Sequence, residues 1–413
     1  MENLLRALEG KISLKDVKGI IYRTDEGIVT NEPQPLIQDI STLPWPARDL
    51  LVQKKYKIAL MSTSRGCISN CTFLRHQKIL EVLGGRPIQD VADEIEYIYK
   101  TYGINVFYFI DCSFENPDIS YERLETFAKE ILKCNIPIYY LAFFRPDFAR
   151  RVKPELVELL YQSGHMGALI GIESHDEKSL KIYNKKTSPS DNTMVIDLFR
   201  SHNIHVDIGF IMFHPFSQFE GLHKNIDFLE KQGFACIINF VVSPYIMSKD
   251  CALFHKIKKH GLIVDEEQFY GYHYADPKIE VLVKYIESFF KKTHSPKNVE
   301  VFSMHRSLTT LAYWKRIYKH DERLTTVFHH TEEKYITEKD KLNFHIAAWF
   351  RNLLYLSEQN WNEDKANAMT AQYLGESFLQ DISEKIAYAR YLLNLQISRC
   401  GIDLQPLPFV EQM

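Results

Sequence analysis

The chain has 413 residues, 45% of them hydrophobic, which is enough for one large α/β domain, a smaller module and a buried core. Its 50 basic residues nearly balance 53 acidic ones, so the net charge of −3 lacks the strong positive charge of a protein that wraps nucleic acid. The 7 cysteines do not form a disulfide framework, and no apolar run is long enough to cross a bilayer. The composition therefore predicts a cytoplasmic protein without nucleic-acid or membrane partners.

The first fifty residues are predicted to form a helix, a hairpin and an extended segment. Apolar spacing predicts a helix over residues 2–14, and turn residues predict a hairpin between residues 17–23 and 27–30. Four prolines within residues 31–47 exclude a regular helix or a central strand there. We interpret this last stretch as a linker.

From residue 57 onwards, short apolar runs alternate with amphipathic segments. The runs predicted as strands are residues 58–62, 106–110, 138–143, 168–172, 206–212 and 236–242. The segments predicted as helices between or after them are residues 88–102, 121–134, 154–163, 177–183, 191–202 and 220–232. Because parallel strands need long crossover connections, this alternation predicts an α/β fold, a partial (β/α)6 TIM-like barrel.

After about residue 277 the strand-like runs end and long helical patterns follow. Helices are predicted over residues 279–292, 308–318, 342–356 and 364–398. The sequence thus divides into residues 1–52, the barrel over 53–265 and a helical C-terminal module over 266–413.

Polar and ionisable residues cluster just after the predicted strands. In such folds the loops at the carboxyl ends of the strands carry the reactive groups. These loops contain Cys67, Cys71, His76, Asp111, Cys112, Arg145, Asp147, Glu173, Ser174 and His214.

The loop after the first predicted barrel strand carries the most informative motif. Its sequence, Cys67-Ile-Ser-Asn-Cys71-Thr-Phe-Leu74, resembles the cluster loop of radical S-adenosylmethionine (SAM) enzymes, whose pattern is Cys-x3-Cys-x2-Cys. In that family three thiolates bind three irons of a [4Fe–4S] cluster, and SAM chelates the fourth iron. Leu74 stands at the third position, where the pattern has a cysteine.

The resemblance implies roles for residues in the other strand-end loops. Gly-Ile-Glu173-Ser174 is similar to the end of the fourth strand, where the family contacts SAM, and Asp111-Cys112-Ser-Phe is similar to the Asp-Asp-x-Phe segment of the second strand. We predict that Asp111, Arg145, Glu173 and Ser174 bind the cofactor. Arg145 has two interpretations, since it either pairs with Asp147 or holds a ligand carboxylate.

Cys67 and Cys71 are the predicted cluster ligands. Leu74 has no atom that binds iron, so another group must complete the site if a cluster forms. Cys112 and His76 are the candidates for this extra ligand, because histidine replaces cysteine in some clusters.

Residues 17–51 resemble the junction between a corrin domain and a barrel in the cobalamin-binding subgroup of this family. The resemblance implies that residues 1–52 are the remnant of such a domain followed by a Pro-rich linker. Cobalamin is then expected only if another chain supplies it, which makes a separate corrin-domain protein or an intact homologue a predicted partner.

Two functions remain open from the sequence. The first is radical chemistry that depends on an iron–sulfur cluster and SAM, such as methylation or another modification of a small molecule, natural product or peptide. The second is a barrel without a cluster that acts as a non-catalytic binding partner. The difference between them depends on whether the site around Leu74 binds iron.

Overall fold

The computed structural model describes residues 2–37, 39–49, 58–74, 84–115, 120–246, 248–249, 251–264, 271–293, 301, 304–401 and 404. These residues form two compact units, residues 1–43 and residues 44–413. No helix among them combines the length and the apolar character needed to cross a membrane. The predicted division into three domains stays a prediction.

The first unit contains one helix and one hairpin. Helix α1 covers Glu2–Leu8, and strands β1 (Ile21–Thr24) and β2 (Gly27–Thr30) pair antiparallel. The predicted helix over residues 2–14 is wrong in its second half, because Gly10 takes a positive φ of 74° and a short 3-10 turn follows at Leu14–Asp16. The predicted hairpin is confirmed in position, although its first strand begins four residues later.

The second unit is built on a parallel sheet of five strands. These are β3 (Ile58–Met61), β6 (Val106–Phe109), β7 (Tyr139–Phe144), β8 (His165–Glu173) and β9 (His205–Phe210), and this is also their order across the sheet. A small antiparallel pair, β4 (Ser64–Arg65) and β5 (Gly84–Gly85), lies between β3 and β6 in the chain. The predicted α/β class with parallel strands is confirmed.

Helices follow the strands much as the sequence predicts. They are α2 (Ile88–Tyr102), α3 (Glu122–Cys134), α4 (Pro154–Gln162), α5 (Glu177–Ile182), α6 (Pro189–Ser201) and α7 (Phe219–Lys231). Their apolar stripes bury one face of the sheet, because alternate strand residues such as Phe107, Tyr140 and Ile170 are completely buried in the same cluster as helix residues such as Ile95.

The predicted sixth strand is wrong. The apolar run at residues 236–242 contains α8 (Ile238–Val242), and its buried residues Ile238 and Val241 are spaced as on a helix. A short apolar run fits a strand and a buried helix equally well, so its sequence alone did not distinguish them. As a result β9 is the edge strand of the five-stranded sheet.

The C-terminal part is helical, as predicted, with different boundaries. Helix α9 (Ala252–Lys259) still lies within the predicted barrel range, and the helices after it are α10 (Pro277–Thr293), α11 (Met304–Ile317), α12 (Glu322–Gln359), α13 (Glu363–Leu374) and α14 (Glu376–Cys400). The predicted single helix over residues 364–398 is interrupted at Gly375, where a Cβ atom would lie 2.3 Å from the carbonyl oxygen of Ala371. Helix α12 spans 38 residues and extends well beyond the predicted segment 342–356.

Candidate functional site

The loop after β3 is fixed by the carboxylate of Asp111, which follows β6. Asp111 is 2% exposed. It accepts hydrogen bonds from the backbone amide of Thr63 at 3.0 Å and from the hydroxyl groups of Thr63 at 3.0 Å and Ser64 at 2.6 Å. The Ser64 amide also donates to it. Asp111 therefore holds the start of the cysteine loop in place with both of its oxygens engaged.

Three thiols line one cavity beyond this loop. The cavity has a volume of about 230 Å³ and is bordered by Cys67, Cys71 and Cys112, together with Leu74. Cys112 reaches it because β3 and β6 are adjacent parallel strands whose carboxyl ends lie side by side. The structure thus brings the two predicted loop ligands together with one of the two candidate extra ligands.

The other candidate, His76, lies outside the described residues. Within the described part of the chain, no group of three His, Cys, Asp or Glu side chains is placed to hold a single metal ion. The thiols of a [4Fe–4S] cluster bind different irons, so this finding concerns a mononuclear site rather than a cluster. The donor set is three soft sulfur atoms, which is the chemistry that such clusters use.

Burial raises the pKa of Cys71 above its ordinary value, although Lys185 and Arg145 nearby act in the opposite direction. Burial likewise raises the pKa of Cys112, with a contribution from Cys67. These two thiols are therefore protonated at neutral pH in the metal-free chain, and metal binding there would release protons.

Arg145 forms an ion pair with Asp147, which is one of the two roles expected for it from the sequence. Its Nε atom donates to the Asp147 carboxylate at 2.9 Å, and both side chains are largely buried. A second guanidinium nitrogen donates to the backbone oxygen of Lys185 at 3.4 Å. Arg145 thus links the loop after β7 to the segment after α5.

Glu173 ends β8 in an unusual conformation next to a lysine. Its φ of 64° lies in the left-handed region, at an irregularity in the pairing of β8 with β9. Its carboxylate lies 3.3 Å from the Lys185 ammonium, and both side chains are mostly buried. Gly171 gives them room, since a Cβ atom there would lie 3.0 Å from both charged groups.

Lys185 was missed by sequence reasoning. It lies twelve residues after Glu173, beyond α5, in a run of polar residues that contains no recognisable motif. Its role becomes visible only when the chain folds back over the end of β8.

Ser174 is not at the cavity. Its side chain is completely buried, and its hydroxyl donates to the Asn225 side chain on α7 at 3.0 Å. Its backbone oxygen accepts from Asn192 at 2.9 Å. The structure therefore places Ser174 in the packing of β8 against α6 and α7 rather than beside Glu173's partners.

Glu115 gives the site a pH-dependent contribution to stability. Burial raises the pKa of Glu115 from 4.5 to about 7, while the backbone amide of Arg145 donates to it at 3.1 Å. The unfolded chain loses this proton near its ordinary pKa and the folded chain keeps it longer, so stability falls as pH rises through that interval. Above about 7 both states are ionised and the decline ends.

We expect the free energy of unfolding of the wild type, relative to Glu115→Gln, to fall between pH 4.5 and about 7 and then to level off. Urea titrations of both proteins at several pH values measure this difference, and contributions from other groups cancel in it. A difference that does not change with pH would contradict the assignment.

Comparison with known proteins finds relatives in sequence and in structure. No family model matches the chain. The anaerobic magnesium-protoporphyrin IX monomethyl ester cyclase of Synechocystis is 30% identical over 206 residues, covering 49% of this chain and 40% of the cyclase. The cytidylyl-2-hydroxyethylphosphonate methyltransferase of Streptomyces wedmorensis is 27% identical over 318 residues, covering 66% of this chain and 58% of that enzyme. The chain thus spans about half the length of these curated relatives.

Solved structures extend the likeness to nearly the whole fold. The cobalamin-dependent SAM radical enzyme OxsB, solved with aqua-cobalamin and SAM bound, superposes with a TM-score of 0.68 at 19% identity, covering 97% of this chain and 66% of OxsB. These relatives and structural neighbours support the predicted resemblance to the radical SAM superfamily. TsrM, a radical SAM methyltransferase from Kitasatospora setae, superposes with a TM-score of 0.50 at 17% identity, over 63% of this chain and 52% of TsrM. At these identities the superpositions show the shared fold alone.

The curated relatives and the TsrM neighbour include a cyclase and methyltransferases.

Proposed function

We propose that this chain is a radical SAM protein that holds a [4Fe–4S] cluster with the thiols of Cys67, Cys71 and Cys112. The observation that carries the proposal is the single cavity that all three thiols line. Two of them come from the motif loop, and the third comes from the end of the adjacent strand. Cys112 thereby provides the donor that Leu74 lacks.

The surroundings of the cavity favour a charged cofactor. Burial has the largest effect on the pKa of Cys71 and raises it, whereas Lys185 and Arg145 act in the opposite direction and favour the thiolate, which is the form that binds iron. Asp111, which also lines the cavity, positions the loop through Thr63 and Ser64. The cavity thus combines soft sulfur ligands with fixed charges around them.

Glu173 and Lys185 are proposed to hold the amino-acid part of SAM. This part carries an ammonium group and a carboxylate, so a glutamate and a lysine side by side match both of its charges. Arg145 would position Lys185 through its backbone oxygen. When bound, the reduced cluster supplies the electron that divides SAM into methionine and a 5′-deoxyadenosyl radical.

The proposed substrate is a small molecule, natural product or peptide in the cytoplasm, and the reaction is a methylation or another modification at an unreactive carbon. Cobalamin enters this proposal only as a group that a separate corrin-domain protein would supply. Relatives named as methyltransferases support a methyl transfer, while the cyclase supports other chemistry.

A second candidate function is a non-catalytic binding partner, for example of an intact homologue. Leu74 at the third motif position favours this second function, because leucine has no donor atom and cannot supply the third ligand of the motif. In this case the buried ion pairs of Arg145 and Glu173 would be structural only.

SAM cleavage tests the proposal. The wild-type chain, reconstituted anaerobically with iron and sulfide and then reduced, is expected to convert SAM to 5′-deoxyadenosine and methionine. Cys67→Ser is expected to lose this activity, whereas Cys400→Ser, at the far end of α14, is expected to retain it. If the wild type forms no 5′-deoxyadenosine and Leu74→Cys does, the proposal is wrong and the second candidate holds.

A further inference from the structure

A second cavity opens at the amino end of β9, and we call it the basal cavity. Its volume is about 290 Å³, and none of its described lining residues borders the thiol cavity. Its walls are the first residues of β9, the connection between α7 and α8, and one face each of α11 and α12. Reactive groups in such folds lie at the carboxyl ends of the strands, so the basal cavity is at the opposite end of β9.

The two helices supply an apolar part of the cavity wall. Leu308 and Ala312 lie on one face of α11, and Ile336 lies on the facing side of α12, where it is 42% exposed. Gly233, in the connection between α7 and α8, has no side chain, and Ala312 has a single methyl group. Short side chains at these two positions leave the space between β9 and the helices unfilled.

Lys339 on α12 brings a positive charge into this space. The side chain is half-buried, and within the described part of the chain it forms no ion pair. Its ammonium lies against the backbone of Gly233, where a Cβ atom would be 2.9 Å from Nζ. A half-buried ammonium without a counter-ion is costly, so an anion that enters the cavity gains by pairing with it.

Arg200, at the end of α6, adds a second fixed positive charge. Two of its guanidinium nitrogens donate to Gln232, one to the side-chain oxygen at 3.0 Å and one to the backbone oxygen at 2.9 Å. The guanidinium carbon lies 5.1 Å from the centre of the Phe234 ring. Both acceptors are neutral, so these contacts hold the guanidinium in place without balancing its charge.

His205, the first residue of β9, lies where the basic groups converge. Its Nε2 atom is 3.0 Å from the hydroxyl oxygen of Thr309 on α11, which fixes the ring at the cavity wall. Burial lowers the pKa of His205 to about 4, and Arg200, His305 and Lys339 lower it as well. Three basic groups therefore act on one neutral ring, and the electrostatic potential around it is positive.

Two acids also line the cavity, and neither cancels this charge. The Glu332 carboxylate already pairs with the Lys315 ammonium at 2.6 Å. Asp207 stands two residues after His205 on β9, which places it roughly 6–7 Å further along the strand. Burial raises the pKa of Asp207, so its charged form is disfavoured there. The positive end of the cavity is thus the end next to His205.

We propose that the basal cavity binds a small organic carboxylate whose acid group pairs with Lys339. The apolar body of this ligand would lie between Leu308 of α11 and Ile336 of α12. Because the cavity is at the end of β9 that carries no reactive loop, the ligand is bound without being transformed. It would hold the two helices against β9, and this role does not depend on the proposed function.

A carboxylate fits the cavity better than an amine or a phosphate does. Arg200 and Lys339 repel an amine, whereas they attract any anion. A phosphate dianion would bring more charge against apolar walls and would lie nearer to two acids in a space of this size. The volume of about 290 Å³ is at the lower end of the range of about 300–1,000 Å³ for small-molecule sites, which favours a small ligand.

Matched probes with the same apolar body test the charge preference of the iron-free full-length chain. They are 3-phenylpropionate, 3-phenylpropanol and 3-phenylpropylamine, and isothermal titration calorimetry measures their affinities. We expect the carboxylate to bind about tenfold more tightly than the alcohol, and the amine to bind weakest. The carboxylate should also raise the melting temperature of the chain, since it binds the folded state.

Substitutions locate the probe. In Lys339→Gln the carboxylate should bind no better than the alcohol, and the alcohol should bind as it does to the wild type. Ala312→Leu, which fills part of the cavity, should weaken both probes. Lys334→Gln is the matched control, because Lys334 lies on the same helix over the ring of Tyr388, at 5.7 Å, and should leave the preference unchanged.

Three results would overturn the proposal. These are equal binding of carboxylate and alcohol to the wild type, an unchanged preference in Lys339→Gln, and loss of carboxylate binding in Cys112→Ser, which would place the probe at the thiol cavity instead. The probes are measured without iron, so failure of the cluster proposal leaves this test unaffected. A wild type that cleaves SAM but shows no preference for the carboxylate would reject the basal-cavity proposal alone.

Discussion

Replacing Cys112 with serine is expected to reduce the iron retained after anaerobic reconstitution from about four atoms per chain to less than about one. Two thiolates from one loop leave most of the cluster without protein ligands, and Leu74 adds none. Iron and acid-labile sulfide, counted after desalting, measure the effect.

The control for this substitution is Cys400→Ser, which removes a half-exposed cysteine from the end of α14 and should retain wild-type iron. The double variant Leu74→Cys with Cys112→Ser should regain iron, because it restores the three-cysteine pattern of the loop. Wild-type iron content in Cys112→Ser would refute the role of this thiol.

Asp111→Ala is expected to lower the free energy of unfolding by about 3–5 kcal/mol, since each buried donor without an acceptor costs about 1–3 kcal/mol. The substitution leaves the amides of Thr63 and Ser64 and both of their hydroxyl groups without their acceptor. The cysteine loop should lose its fixed position together with the stability.

Urea denaturation of the iron-free chain measures this loss. The matched control is Asp93→Ala, an exposed aspartate on α2, which should change the stability by less than about 0.5 kcal/mol. A loss of less than about 1 kcal/mol in Asp111→Ala would mean that water replaces the carboxylate at low cost.

The order of strands and helices was predictable because each element carries its own periodic pattern. Helix α2 was placed to the residue, over Ile88–Tyr102, and the five strands of the parallel sheet were placed to within a few residues, whereas the short pair β4 and β5 was not predicted. The run at residues 236–242 failed because a fully apolar run has no period that distinguishes strand from helix. The break at Gly375 was missed because the apolar pattern continues on both sides of it, although the backbone of Gly375 is extended, with a ψ of 157°.

The sequence predicted the parts of the site that follow from the order of the strands, and it missed the parts that depend on how the chain folds back. Because reactive groups lie in the loops at the carboxyl ends of strands, and because β3 and β6 are neighbours in the sheet, Cys67, Cys71 and Cys112 were expected to lie together. The same rule placed Ser174 at the cavity. In the structure its side chain points towards α7 instead, directly after Glu173, whose φ lies in the left-handed region. Lys185 had no local signal, since its partner Glu173 is reached only across α5.

The central claim is that three thiols from two strand ends hold an iron–sulfur cluster despite Leu74. The most direct measurement is the number of iron and sulfide ions bound per wild-type chain after anaerobic reconstitution. The account predicts about four of each. Less than about one iron in the wild type, under conditions in which Leu74→Cys binds about four, would contradict it.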